Sequence, residues 1–337
     1  MSEQARDRSD EPLLDVKNLS VRLPVGNRSL HAVSNVSFSV RPGETLCLVG
    51  ESGCGKTMTS LALMGLMPRR AKVTADHVMF EGHDLARLDR KRRQAMSGDR
   101  IAMIFQDPMT SLNPVLTVGD QLDEIYIRHR GATRKEARER ALEMLDKVGV
   151  KPARDRARQY PHQLSGGLRQ RVMIAIMLMC EPSVLIADEP TTALDVTVQI
   201  QILRLLRDLQ RDFGTALLLI THDLGVVARM ADRVGVMYGG RIVEAGPVDE
   251  IFNRPQHPYT RGLLDCIIRP GHTQRLASIP GVVPSLLGDP GGCLFRNRCP
   301  DASPSCSGEI PSRQLNCSHE YLCTLEPAEP DRMEILE

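Results

Sequence analysis

Gly50-Glu51-Ser52-Gly53-Cys54-Gly55-Lys56-Thr57 decides how this chain is read. It satisfies G-x-x-x-x-G-K-[ST]. The glycines let the backbone curl so that successive N–H groups face one anion. A short apolar run, Thr45–Val49 (TLCLV), precedes the loop, and a helical pattern over residues 56–67 follows it. A buried strand, a glycine-rich loop and the positive end of a helix together make a phosphate cradle. Lys56 is then expected on the β and γ phosphates of a nucleoside triphosphate, and Thr57 on its Mg²⁺. All eight loop residues are candidate nucleotide contacts.

Downstream, a second apolar run over residues 184–187 (VLIA) ends in Asp188-Glu189. Alone, such a pair would be a surface turn. After a phosphate loop it supplies what ATP hydrolysis needs: an Asp to support the Mg²⁺ shell and a Glu within reach of the attacking water as general base. A third run over residues 216–220 (ALLLI) leads into His222, and the C-terminal edge of a buried strand suits a site residue.

Between and around these runs, residues 132–148, 164–179, 196–213 and 224–231 carry helical patterns. Residues 13–23, 31–40 and 233–237 read as further strands. Strands alternating with helices predict an α/β fold around a mainly parallel core sheet.

Composition excludes several classes. Lys+Arg is 43 against Asp+Glu 42, a net charge of +1, which gives no electrostatic support to a nucleic-acid binder. The basic run at residues 87–93 (RLDRKRR) reads as a solvated helix face. No segment approaches the ~18 apolar residues of a membrane span. Residues 1–12 are polar, without the apolar core of a signal peptide, and are expected to be a disordered tail of a cytoplasmic protein.

Near Pro255 the texture changes, and residues 256–337 are rich in Pro, Gly and Cys. Of the nine cysteines, Cys293, Cys299, Cys306, Cys317 and Cys323 crowd into the last fifth of the chain. In a reducing compartment such crowding points to a metal rather than to disulfides. Spacing alone admits Zn²⁺ and an iron–sulfur centre equally, since Cys₄ serves both.

Leu164-Ser165-Gly166-Gly167-Leu168 lies between the phosphate loop and the acidic pair. Ser165 can cap a helix, and the two glycines permit close backbone approach to an anion. With this segment, the chain resembles the nucleotide-binding subunits of ATP-binding cassette (ABC) transporters, whose LSGGQ signature appears here with Leu168 in place of Gln. The resemblance spans residues 13–255. It implies a P-loop NTPase cassette: the core sheet, an antiparallel β subdomain and a helical subdomain at about residues 107–180.

The resemblance also implies roles. Ser165, Gly166, Gly167 and Asp195 would touch the nucleotide of an opposing ATPase subunit in a head-to-tail dimer. Gln106 would sense Mg²⁺ and communicate with a membrane subunit. His222 would meet the γ-phosphate and orient Glu189. The family's aromatic platform for adenine has no counterpart near Leu23, so the base would rest on Leu23, Val25 or His31.

Residues 105–114 (FQDPMTSLNP), His257-Pro258-Tyr259-Thr260 and Ile279-Pro280-Gly281 resemble the oligopeptide and dipeptide importers of that family. This resemblance implies a [4Fe–4S] cluster on Cys293, Cys299, Cys306 and Cys323, with Zn²⁺ as the alternative and Cys317 as a rival fourth ligand. It further implies two separate permease subunits, an extracytoplasmic solute-binding protein, a homologous second ATPase, and a peripheral place on the cytoplasmic face of the inner membrane. Import of another small solute, such as nickel or a peptide-like compound, is an alternative. A soluble cassette ATPase outside transport is another, but it would usually carry coiled-coil insertions or tandem cassettes, and neither is present.

Overall fold

The computed structural model describes residues 11–106, 111–192, 195–267, 278–288 and 291–327. Most of the expected N-terminal tail, together with Ala193 and Leu194, lies outside the described residues. The chain divides into two compact units.

The first unit holds Val40–Glu44, Phe80–Ile220 and the described residues up to Leu14. Its sheet is parallel, running Ile101–Ile104, Val184–Asp188, Ala216–Thr221, with Ile101 opposite Val184 and Val184 opposite Ala216. The three runs are buried at virtually every position. Strands covered on both faces read as continuous apolar runs rather than alternating ones, which is how 184–187 and 216–220 were legible.

Helices complete this unit. Val118–Arg130, Arg134–Lys147 and Ala153–Ala157 form a helical group that packs on Gly166–Leu178. Thr133 and Glu136 close a reciprocal capping box at the start of Arg134–Lys147. Arg138 ties that helix to Asp120 at 2.9 Å and to Asp123 at 2.7 Å. Helix Val196–Phe213 buries Ile202, Leu203, Leu206 and Leu209, one stripe at helical spacing.

The second unit holds Asp15–Ser39, Thr45–Met79 and the chain from Thr221 onward. Leu14–Val25 lies between Arg28–Val40 and His77–Phe80 in one sheet. Lys72–Thr74 pairs antiparallel to it, with Val21 opposite Val73. A second sheet starts at Thr45–Val49, buried throughout, which pairs in parallel with Arg233–Tyr238. Arg241–Pro247 returns antiparallel to Arg233–Tyr238. The cysteine-bearing extension then adds two strands: His319–Leu322 on Arg241–Pro247, with Glu244 opposite Tyr321, and Ser312–Asn316 beyond it. A buried bond of 2.7 Å between His319 Nε2 and Glu244 Oε1 fixes that junction.

The helix after the phosphate loop runs Lys56–Met64, not to residue 67. Gly65 adopts the left-handed conformation, φ 70°, and the Gly65 and Leu66 amides fold back on the carbonyls of Ala62 and Leu61. Glycine accepts that conformation without steric cost, so it stops the helix one turn early.

Candidate nucleotide site

In the second unit, Thr45–Val49 delivers the chain into the phosphate loop. A Cβ on Gly50 would collide with the Met237 carbonyl. One on Gly55, at φ +104°, would collide with that of Ala32. These two positions tolerate only glycine. Lys56 is buried, and its Nζ donates to the carbonyls of Gly50 at 2.7 Å and Glu51 at 3.1 Å. Its ammonium is thus held against the loop rather than in solvent. Ser52, Gly53 and Thr57 are exposed, while Cys54 is buried with its Sγ 3.7 Å from Lys56 Nζ.

Two further residues hold this loop and were not anticipated as site residues. The Glu51 amide donates to the Tyr259 hydroxyl at 2.9 Å. The Glu51 carboxylate accepts a two-pronged pair from Arg298, Nη1 to Oε2 at 2.6 Å and Nη2 to Oε1 at 2.9 Å. Tyr259 sits inside the His257–Thr260 segment, a mark visible in the sequence. Arg298 is adjacent to Cys299, and nothing in its spacing points to Glu51.

In the first unit, three side chains meet at one carboxylate. Gln106 Nε2 and Thr192 Oγ1 each donate to Glu189 Oε2 at 2.9 Å. Gln106 and Glu189 were expected in one site; Thr192 was read only as part of the segment before Asp195. Asp188 is buried at the end of its strand. Glu189 takes φ +45°, a left-handed conformation that costs a non-glycine residue roughly 1–2 kcal/mol, and its amide is held by the Ile220 carbonyl at 2.9 Å. Strain of this kind persists where the surroundings over-determine it, as functional sites do.

Ser165 caps Gly166–Leu178, its hydroxyl accepting from the Leu168 amide at 3.4 Å, and Ser165 and Gly166 are exposed. From the same helix, buried Gln170 donates to the Pro190 carbonyl at 2.5 Å, joining the signature segment to the residue after Glu189. Asp195 caps Val196–Phe213 through a 2.9 Å bond from the Val198 amide. His222 belongs to the second unit, directly after Thr221, and is exposed.

Cys293, Cys299, Cys306 and Cys323 line one small cavity of about 10 Å³. Cys317 is exposed and does not line it. Burial pushes the Cys299 thiol up to about 11, with Cys293 and Cys323 adding repulsion to its thiolate. Burial likewise raises Cys293, and the approach of Cys306 and Cys323 raises it further. The Ser303 backbone pulls Cys306 down. Burial thus favours the neutral thiol at Cys293, Cys299 and Cys323, whereas Cys306 is biased toward the thiolate. Among the described residues no three His, Cys, Asp or Glu side chains are gathered closely enough to hold a metal ion as they stand.

The ABC transporter family profile matches residues 33–192, and that of the oligopeptide/dipeptide transporter C-terminal region matches residues 243–306. The dipeptide transport ATP-binding protein DppD of Bacillus subtilis is 49% identical over 319 residues, 94% of this chain and 95% of that protein. This chain belongs to the ABC transporter ATPases of the oligopeptide/dipeptide type. DppD of Escherichia coli is also 49% identical, over 306 residues covering 90% and 93% of the two chains. A solved dimeric ATP-binding cassette, MJ0796, bound to ADP and phosphate, aligns at 30% identity with a TM-score of 0.60, covering 70% of this chain and 98% of that one. As a member of this ATPase family the chain is an ATP-hydrolysing transport subunit, and the P-loop cassette is its fold. Among the described residues no helix is long and apolar enough to cross a membrane.

Proposed function

We propose that this ABC ATPase powers the import of di- and oligopeptides through separate membrane permeases. The observation that carries the reading is near-full-length similarity to dipeptide-transport ATPases, reaching across both the cassette and the extension. In this reading residues 13–255 are the nucleotide-binding domain and 256–337 the importer-type extension. The phosphate loop binds ATP, with Thr57, Gln106 and Asp188 serving Mg²⁺. Glu189 is the general base, and Gln106 and Thr192 hold its carboxylate until a nucleotide and water are in place. His222 completes the catalytic group.

Ser165, Gly166, Gly167 and Asp195 serve the nucleotide of the facing subunit. That subunit is a homologous second ATPase, and the pair sits at the cytoplasmic face of the inner membrane beneath two permeases fed by an extracytoplasmic binding protein. The solved cassette dimer supports a two-subunit arrangement. The adenine ring rests on aliphatic groups, with Leu23 half-buried and Val25 exposed at the end of their strand.

The same proposal gives the extension a [4Fe–4S] cluster. The four cysteines lining one cavity fit that donor set better than one including Cys317. Cys293, Cys299, Cys306 and Cys323 would hold the group as thiolates, and it would supply a structural staple to a segment with little core of its own.

Affinity purification from the native membrane tests the transport reading: permease subunits should co-purify. Ribosomes or DNA without a permease would overturn it. Iron and sulfide analysis of anaerobically purified protein tests the cluster. About four irons per chain is the expected result, and one zinc with no iron would replace it.

A further inference from the structure

Glu51 occupies a position that the phosphate-loop pattern leaves free, yet it is an acid in a loop built for a polyanion. An unpaired carboxylate there would repel the nucleotide it helps to surround. Arg298 answers that charge. Its guanidinium is buried and meets Glu51 fork to fork, the geometry in which arginine and carboxylate bind most strongly.

Arg298 is itself fixed by four other contacts. Nε donates to the Pro280 carbonyl at 2.8 Å, Nη2 to that of Ile279 at 3.3 Å, and Nη1 to the Tyr238 hydroxyl at 3.3 Å. The Arg298 amide closes a turn on the Phe295 carbonyl at 2.8 Å. Phe295 packs edge-on against Tyr238 at 5.2 Å and lines the cysteine cavity, as does Cys299 beside Arg298. Tyr259 reaches the same loop residue from a second direction, through the Glu51 amide. The phosphate loop is therefore gripped at one residue, by side chain and by backbone, from the cysteine-bearing extension.

We propose that Arg298 is a positioning residue for the nucleotide: anchored in the extension, it neutralises Glu51 and holds the phosphate loop in its binding shape, so ATP affinity depends on the extension. The proposal rests on the nucleotide-binding reading of the loop. It makes no demand on what the cysteine cavity holds.

The test is titration of the full-length protein with a fluorescent ATP analogue. R298M should raise the Kd roughly tenfold, a usual size for coupling between neighbouring groups. E51Q, which removes the offending charge, supplies the background against which the double variant is read. The decisive variant is E51Q/R298M, which should bind more tightly than R298M alone, because the carboxylate left unpaired by R298M is gone. R298K keeps the charge but loses the fork and should lie between wild type and R298M. In the assembled complex the R298M defect should appear as a raised KM for ATP with little change in kcat.

Wild-type affinity in R298M, or a double variant no better than R298M, overturns the proposal. Should R298M fail to fold, R298K with and without E51Q carries the same comparison. K56A is the control. If K56A binds the analogue as wild type does, the nucleotide reading fails, and not the role of Arg298.

Discussion

The phosphate loop and the Glu189 carboxylate group are organised in opposite ways. The loop is backbone chemistry: glycines at positions with no room for a side chain, and a lysine folded against the loop's own carbonyls. Its one acidic side chain is managed from outside, by an arginine 247 residues further along the chain. The carboxylate group is side-chain chemistry, and it is self-contained. Gln106, Glu189 and Thr192 lie at the ends of neighbouring parallel strands in one compact unit, and Gln170 braces them from the signature helix. A site whose shape is a backbone curl can be tuned by a distant segment. A site that must put one carboxylate oxygen beside one water is held by what is immediately around it.

The largest expected effect breaks the second half of that contrast. Glu189→Gln keeps the side chain's size and an oxygen that can accept from Gln106 and Thr192 but cannot serve as a base. Loss of a positioned general base costs about 10²–10⁴-fold in rate. The assembled complex should therefore lose ATP turnover by at least about a hundredfold while still binding ATP. Turnover close to wild type would remove Glu189 from the chemistry.

A smaller effect sharpens the claim that the carboxylate group is braced locally. Gln170→Ala removes the donor to the Pro190 carbonyl inside a buried helix. A buried acceptor left without its donor costs about 1–3 kcal/mol. The expected result is a lower midpoint of thermal unfolding and slower hydrolysis, with ATP affinity nearly intact because the phosphate loop is held elsewhere. A large drop in affinity with no loss of stability would contradict the division drawn here.

The contrast also explains what could be read from the amino-acid sequence. The phosphate loop was legible because its constraint is steric and local, and Gly50 and Gly55 record it as glycine. The buried strands at 45–49, 184–188 and 216–221 were legible as apolar runs. Ile101–Ile104 was not, because four apolar residues are too few to separate strand from helix. Lys72–Thr74 (KVT) and His77–Phe80 (HVMF) were missed because segments of three or four residues that mix polar and apolar positions show no period.

Arg298 was invisible for a different cause. Its partner is a position any residue can fill, and the link spans most of the chain, so no spacing rule connects them. The left-handed backbone of Glu189 leaves no mark either, since glutamate there looks like any glutamate. In the extension spacing alone left Cys317 and Cys323 as rivals; in the fold Cys317 lies on an exposed turn, while Cys323 follows a strand locked to the sheet by His319 and lines the same cavity as Cys293, Cys299 and Cys306.

The smallest predicted effect separates two jobs carried by one side chain. Asp195 caps Val196–Phe213 by accepting from the Val198 amide, and its proposed second job faces the other subunit's nucleotide. Asp195→Ala should cost about 1 kcal/mol from the lost cap, on the order of 2 °C in the unfolding midpoint for a chain of this size. Asp195→Asn keeps a cap of equal quality, since Asn and Asp serve that position alike, but removes the charge. If Asp195 works only as a cap, the Asn variant should match wild type in both stability and turnover. If it also communicates across a subunit interface, the Asn variant should keep full stability and lose turnover in the assembled complex alone. The isolated chain's ATP affinity should stay level in both variants, because the loop that sets it is gripped by Arg298 and Tyr259 rather than by anything near Asp195.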